Sequence, residues 1–259
     1  MLAPDQLLIV ALAAVAAGFV NAIAGGGSLI SFPALTAVGL PAVMANVTNT
    51  VALLPGYGGA ALGQRRDLWG QRRRIWLLLP ACVLGGLLGA ALLLISSAAL
   101  FATLVPWLIL LGTGLLALQK PLRRWLMGRN MPPGPTMQPA VRQEILCAAA
   151  VFLSAIYGGY FGAGLGVILL AVLALLLDGS LTRLNGLKQV LSLQVNLAAA
   201  LLFLFSPQLN LTAALVMAGG SVLGGALGGR LASRVNPERL RGLVVVLGLV
   251  LAVVFFLRQ

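Results

Sequence analysis

The sequence predicts an all-α polytopic membrane protein made of two inverted-topology repeats. Each repeat has about three spanning helices plus one glycine-broken segment, re-entrant or discontinuous. Three observations carry this prediction. The chain is 60% hydrophobic and 8% charged, with a mean hydropathy of +1.04, more apolar surface than a soluble protein can bury. Its apolar stretches reach or exceed the ~20 residues a helix needs to cross a bilayer. Two glycine-rich breaks, Gly25–Gly26–Gly27 and Gly162–Ala163–Gly164–Leu165–Gly166, interrupt apolar segments at matching places, one in each half of the chain.

The first apolar region, Leu7–Leu40, is too long for one ordinary span. The triple glycine divides it into Leu7–Ala24 and Ser28–Val38. Each interior glycine costs a helix roughly 1 kcal/mol relative to alanine, so three together break it. Within a bilayer such a break persists only where protein or a water-filled cavity satisfies the freed backbone groups. The N-terminus has Asp5 and no Lys or Arg before this run, which reads as retained membrane structure rather than a signal peptide. Pro41 opens the next segment, to Leu62, with a kink expected at Pro55–Gly56. A basic loop follows, carrying Arg65, Arg66, Arg72, Arg73 and Arg74. Ile75–Ile95 is a span, Ser96–Ala99 an uncharged turn and Leu100–Leu118 a further span. The linker Gln119–Gln143, with Lys120, Arg123, Arg124, Arg129, Arg142 and the run Met131–Pro135, separates an N-terminal repeat (1–118) from a C-terminal one (144–259).

The second half repeats the order. Glu144–Leu177 is again overlong and glycine-broken. After the turn at Asp178–Ser180 come a span over Leu181–Phe205, an uncharged turn over Ser206–Asn210 and a span over Leu211–Leu231. A basic loop with Arg230, Arg234, Arg239 and Arg241 precedes the last span, Leu243–Leu257. Val83–Gly89 (VLGGLLG) and Val222–Gly228 (VLGGALG) are separated by nearly the same interval as Gly26 and Gly164. That agreement favours an internal repeat over convergent small-residue packing. The basic loop precedes the neutral turn in the first half and follows it in the second. That inversion is what inverted repeats require, and it places the linker inside and both termini outside.

Several function classes are disfavoured. The net charge of +12 sits mostly in short loops, which points to retention at the cytoplasmic face rather than to nucleic acid. There is no histidine, and the five acids (Asp5, Asp67, Glu144, Asp178, Glu238) lie in loops or at segment ends. No catalytic motif, metal site or cofactor site is expected, and no carboxylate relay for protons or sodium lies within a span. Cys82 and Cys147 lack metal-ligand or redox spacing and read as core residues.

The candidate site lies at the breaks. The segments after them would present helix N-termini, with unpaired N–H groups and partial positive charge, to the middle of the membrane. Two such ends meeting there would hold an anion. The candidates are Gly25, Gly26, Gly27 and Ser28 in the first half, and Gly162, Gly164 and Gly166 in the second. Polar residues collect in the segment after each break: Asn46, Thr48, Asn49 and Thr50, then Asn185, Lys188, Gln189, Gln194 and Asn196. Lys188 lies about eight residues past a turn, hence ~12 Å deep at a helical rise of 1.5 Å per residue. An ionisable group there is a functional candidate, beyond comfortable snorkelling reach. Thr50 is its counterpart in the first half, at the same offset that relates Gly26 to Gly164. Asn21, Tyr160 and Gln194 are weaker candidates.

The stretches AGGGSLISFPAL (24–35), ANVTNT (45–50) and GGYFGAGLG (158–166) resemble the sulfite exporter TauE/SafE family of bacterial inner-membrane permeases, also called the 4-toluene sulfonate uptake permease family. The resemblance covers nearly the whole chain. It implies a two-repeat helical fold and transport of small sulfur-containing anions such as sulfite or organosulfonates. The family's motif positions fall on Gly25, Gly26, Gly27, Asn49, Gly162, Gly164, Gly166 and Lys188. Some members carry a lysine in the first repeat too, where this chain has Thr50. The partners expected are the anion and membrane lipid, with a homo-oligomer possible and no nucleic acid. The alternatives are a structural or assembly membrane protein with no transported solute, or a transporter of another small anion.

Overall fold

In the computed structural model, which describes residues 2–23, 26–128, 141–231 and 237–257, each glycine break separates a long helix from a short one. The first pair is α1 (Pro4–Ile23, 20 residues) and α2 (Ser28–Ala37, 10 residues). Before the second pair come α3 (Ala42–Gly63), a 3₁₀ turn at Arg65–Leu68, α4 (Arg72–Ile95) and α5 (Ala98–Gly128). The second pair is α6 (Val141–Tyr160, 20 residues) and α7 (Leu165–Leu176, 12 residues). It is followed by α8 (Leu181–Phe203), α9 (Leu211–Leu231) and α10 (Pro237–Leu257). No strand occurs among the described residues. Seven of the helices (α1, α4, α5, α6, α8, α9, α10) are long and apolar enough to cross a membrane. The helix α3 has 22 residues but carries the polar run Asn46, Thr48, Asn49 and Thr50, every one of them buried.

Both broken pairs fold back as hairpins rather than continuing as interrupted straight helices. The Gln6 amide donates to the Val38 carbonyl at 3.2 Å, tying the first turn of α1 to the end of α2. The Gln143 amide donates to the Leu176 carbonyl at 2.6 Å, tying the start of α6 to the end of α7. Each glutamine satisfies one of the carbonyls that a helix end leaves without a partner. The hairpins touch through Phe32 of α2 and Phe161 after α6, packed edge to face with ring centroids 5.3 Å apart.

The glycine-rich helices pack across the halves. The most extensive packing joins α1 to α9 and α6 to α4. A Cβ at Gly85 or Gly89 of α4 would strike the Phe152 and Ile156 carbonyls of α6, and one at Gly220, Gly224 or Gly228 of α9 would strike the Ala11, Val15 and Phe19 carbonyls of α1. The two VLGG-LG motifs are thus close-approach surfaces. The thiols of Cys82 and Cys147 are free and fully buried, in one apolar cluster with Leu78, Val151, Leu169 and Leu191.

Two helices run well beyond the spans expected for them. The helix α5 continues past Leu118 to Gly128, through Lys120, Arg123 and Arg124. Hydropathy falls at Leu118, but Gln, Lys, Leu and Arg all propagate a helix. The helix α10 starts at Pro237 rather than Leu243, because proline suits the first helical position. Pro55, where a kink is expected, lies within α3, which is helical from Ala42 to Gly63. Gly25, Arg129 and Arg234 lie outside the described residues.

Candidate functional site

The two breaks converge on a cavity of about 130 Å³. The first contributes Gly26, Gly27 and Ser28, with Asn21 at the end of α1. The second contributes Gly162, Gly164 and Gly166. The helix α8 adds Asn185, Lys188, Gln189 and Ser192, and Tyr57 of α3 and Gln64 just after it complete the polar wall. Of the residues expected at the site, Asn49 is not among those lining the cavity. It is buried behind α2, where its Oδ1 accepts from Ser31 Oγ at 2.6 Å.

Backbone conformation explains why glycines stand at the breaks. Gly26, Gly162 and Gly164 have φ of +86°, +78° and +80°, a left-handed region that side-chain-bearing residues rarely adopt. Both tips rest on α5. A Cβ on Gly26 would meet Leu116, and one on Gly164 would meet Gly112, one helical turn away. Tyr157 steadies the second tip by donating to the Ala163 carbonyl at 2.5 Å.

The short helices α2 and α7 begin at the cavity wall, and neither has a side-chain cap. The N–H groups of Gly164 and Gly166 make no hydrogen bond among the described residues. Uncapped N–H groups and the positive end of the helix dipole make such a terminus receptive to an anion. Lys188 strengthens this field. Its stem lies along Gly166, with Cδ, Cε and Nζ 3.6 to 3.7 Å from where a Gly166 Cβ would sit. Among the described residues no aspartate or glutamate lines the cavity, and Lys188 has no ion-pair partner. A half-buried ammonium without a counter-ion costs free energy that a bound anion would offset.

The polar run on α3 serves a different purpose. Asn46 donates to the Tyr160 carbonyl at 2.9 Å, Thr48 Oγ1 accepts from the Asn210 N–H at 3.1 Å, and Thr50 Oγ1 donates to the Asn46 carbonyl at 3.0 Å. The first two bonds fix α3 to the second hairpin and to the turn before α9. Tyr160 lies toward Ser96, its hydroxyl 3.4 Å from Ser96 Oγ. Neither Tyr160 nor Gln194 lines the cavity, whereas Asn21 does.

Sequence reasoning does not assign Ser192, Tyr57 and Gln64 to the site. Positions 185, 188, 189 and 192 follow the i, i+3, i+4, i+7 spacing of one helical face, so Ser192 is detectable from Lys188. Tyr57 stands two helical turns after Thr50, on the same face of α3. Gln64 reaches the cavity through its bond to Asn185, whose Nδ2 donates to Gln64 Oε1 at 2.7 Å. No local pattern marks that pairing.

The family model for the sulfite exporter TauE/SafE matches residues 10–255. The chain belongs to that family. It is thus a membrane transporter, a multi-pass protein of the bacterial inner membrane. A probable membrane transporter protein of Haemophilus influenzae is 32% identical, over 94% of this chain and 91% of its own length. Probable membrane transporter protein ORF9 of a Sinorhizobium species is 28% identical, over 93% and 88%. Probable membrane transporter protein YfcA of Escherichia coli K12 is 25% identical, over 97% and 90%. No solved structure matches the chain.

Proposed function

We propose that the cavity is the substrate site of a secondary transporter that moves small sulfur-containing anions, such as sulfite or organosulfonates, by alternating access. One observation carries this reading: two helix N-termini without side-chain caps face the same cavity as Lys188, which among the described residues has no ion-pair partner and no carboxylate beside it on the wall. Such a site favours a compact oxyanion with several acceptor oxygens. Sulfur as the central atom rests on the family's name, since the relatives' names stop at membrane transporter. Gly26, Gly27, Ser28, Gly162, Gly164, Gly166 and Lys188 are the residues proposed to meet the anion. Asn49 is proposed to support α2 behind them.

The alternating movement would come from two inverted repeats, 1–118 and 144–259, joined by the basic linker. The packing supports this division. Exchanging α1–α5 with α6–α10 turns the α1–α9 contact into α6–α4, and α3–α9 into α8–α4, both of which exist. The matched glutamine ties support it as well, since Gln6 and Gln143 hold equivalent places in the two hairpins.

Reconstituted protein should carry sulfite across a liposome membrane, with Lys188→Gln abolishing the flux while still inserting. Absence of flux for sulfite, sulfoacetate and sulfate would defeat the proposal. A reporter active only in the cytoplasm should work near Gly134 and fail after Gln259. Activity at both positions would defeat the inverted arrangement alone.

A further inference from the structure

We infer that the Ser192 hydroxyl is a second anchor for the anion's head group, acting with Lys188, and that the cavity selects compact oxyanions bearing no cationic group. This rests on the reading of the cavity as the substrate site.

Ser192 is 2% exposed, its hydroxyl has no hydrogen-bond partner among the described residues, and it lines the cavity. Most other buried hydroxyls of the bundle have a protein acceptor, on a neighbouring helix as for Ser31 and Asn49, or on their own. Thr50 donates to the Asn46 carbonyl, Ser154 to Ala150 and Ser221 to Ala218. Ser192 does not, although the Lys188 carbonyl is in the equivalent place. Thr113 is also buried without a partner among the described residues, but it packs against Gly248 of α10 and does not line this cavity. A dry, unpaired hydroxyl destabilises a fold, so its place beside an open volume points to a ligand that completes it. Ser192 follows Lys188 by one helical turn and shares its face. The N-terminus of α7 lines the same cavity, with the N–H groups of Gly164 and Gly166 that make no hydrogen bond among the described residues. Hydroxyl, ammonium and backbone N–H are all donors, which suits a head made only of acceptor oxygens.

The remaining wall sets the limits of the rest of the ligand. Its polar members are the neutral side chains of Asn21, Ser28, Tyr57, Gln64, Asn185 and Gln189. A ligand ammonium would therefore lie near Lys188 with no carboxylate to balance it. The volume, about 130 Å³, is slightly below the about 150 Å³ of a cavity that holds one benzene. Sulfite or a two-carbon sulfonate fits, whereas the ring of an aryl sulfonate would fill the space alone.

The test uses the full chain purified in detergent, with calorimetric titration of sulfite and of two isosteric sulfonates: isethionate, which ends in a hydroxyl, and taurine, which ends in an ammonium. Ser192→Ala should weaken sulfite binding about tenfold or more, the span of a hydrogen bond to a charged group. The melting temperature of the ligand-free variant should stay equal or rise, because an unpaired buried hydroxyl is lost. Isethionate should bind the parent at least tenfold more tightly than taurine. Unchanged sulfite affinity in Ser192→Ala, or a loss matched by a fall in melting temperature, would overturn the role of Ser192. Equal affinity for the two sulfonates would overturn the selection. If the parent binds neither sulfite nor isethionate, the transport reading itself falls and takes this inference with it.

Discussion

At the first break Gly27 sits so close to α1 that a Cβ would strike the Ala17 carbonyl, while at the second Gly166 faces the Lys188 stem at ordinary contact distance. The contrast extends to the helix that follows each hairpin. Thr50 on α3 bonds back to its own helix, whereas Lys188, its counterpart on α8, has its ammonium at the cavity. The first half contributes mainly backbone and rigidity, and the second contributes the fixed charge. A scaffold with matched packing can thus carry an unmatched site: close helix approach constrains the glycines of both halves, but nothing in that packing requires a lysine in each.

Three pairs of variants probe this contrast. The largest effect is expected from Lys188→Gln set against Thr50→Val. The first removes the one charged side chain that lines the cavity among the described residues and should weaken sulfite binding by ~1.5–3 kcal/mol, about 10- to 100-fold. The second removes an intrahelical bond and should cost ~0.5–1.5 kcal/mol of stability with affinity retained. Titration and thermal melts separate the two, and equal losses of affinity would mean that the halves share the anion evenly.

Next come the glycines. Gly27→Ala should destabilise the protein by ~1–3 kcal/mol, because the Ala17 carbonyl cannot yield without moving α1. Gly166→Ala has room and gains helix propensity, so its melting temperature should hold or rise. A stable Gly27→Ala variant would remove the packing explanation for the first break. The smallest effects are expected from Gln6→Ala and Gln143→Ala, each losing one hairpin tie at ~1 kcal/mol. The 2.6 Å bond of Gln143 should matter more than the 3.2 Å bond of Gln6, and the reverse order in melts would show that bond length is not what ranks them.

The membrane class, the paired breaks and Lys188 are legible in the sequence because each departs locally from an apolar background. A glycine triplet inside an apolar run, or one ammonium far from a turn, needs no tertiary information to stand out. The hairpin geometry is legible only in part. The inverted charge pattern calls for an odd number of crossings per half, which a re-entrant hairpin satisfies, but Leu7–Ala24 is nearly long enough to cross alone, and the bond that shows the chain folding back joins Gln6 to Val38, two residues unremarkable in themselves. Asn49 has the residue type of a ligand contact, yet its partner Ser31 lies on another helix and turns it into a brace. Ser192 is legible only in part. Helical spacing puts it on the Lys188 face, but serine is common in membrane helices, and the absence of its usual backbone bond shows only in the structure.

The proposed site places an anion between the two breaks with its charge met by Lys188. Selenite is close in shape to sulfite and visible by anomalous scattering, so a crystal of the protein soaked with it tests that claim directly. One strong peak is expected between Gly26–Ser28 and Gly164–Gly166, within about 3 Å of Lys188 Nζ by its oxygens, and absent from the Lys188→Gln variant. A peak elsewhere in the bundle, or one that persists unchanged without the lysine, would contradict it.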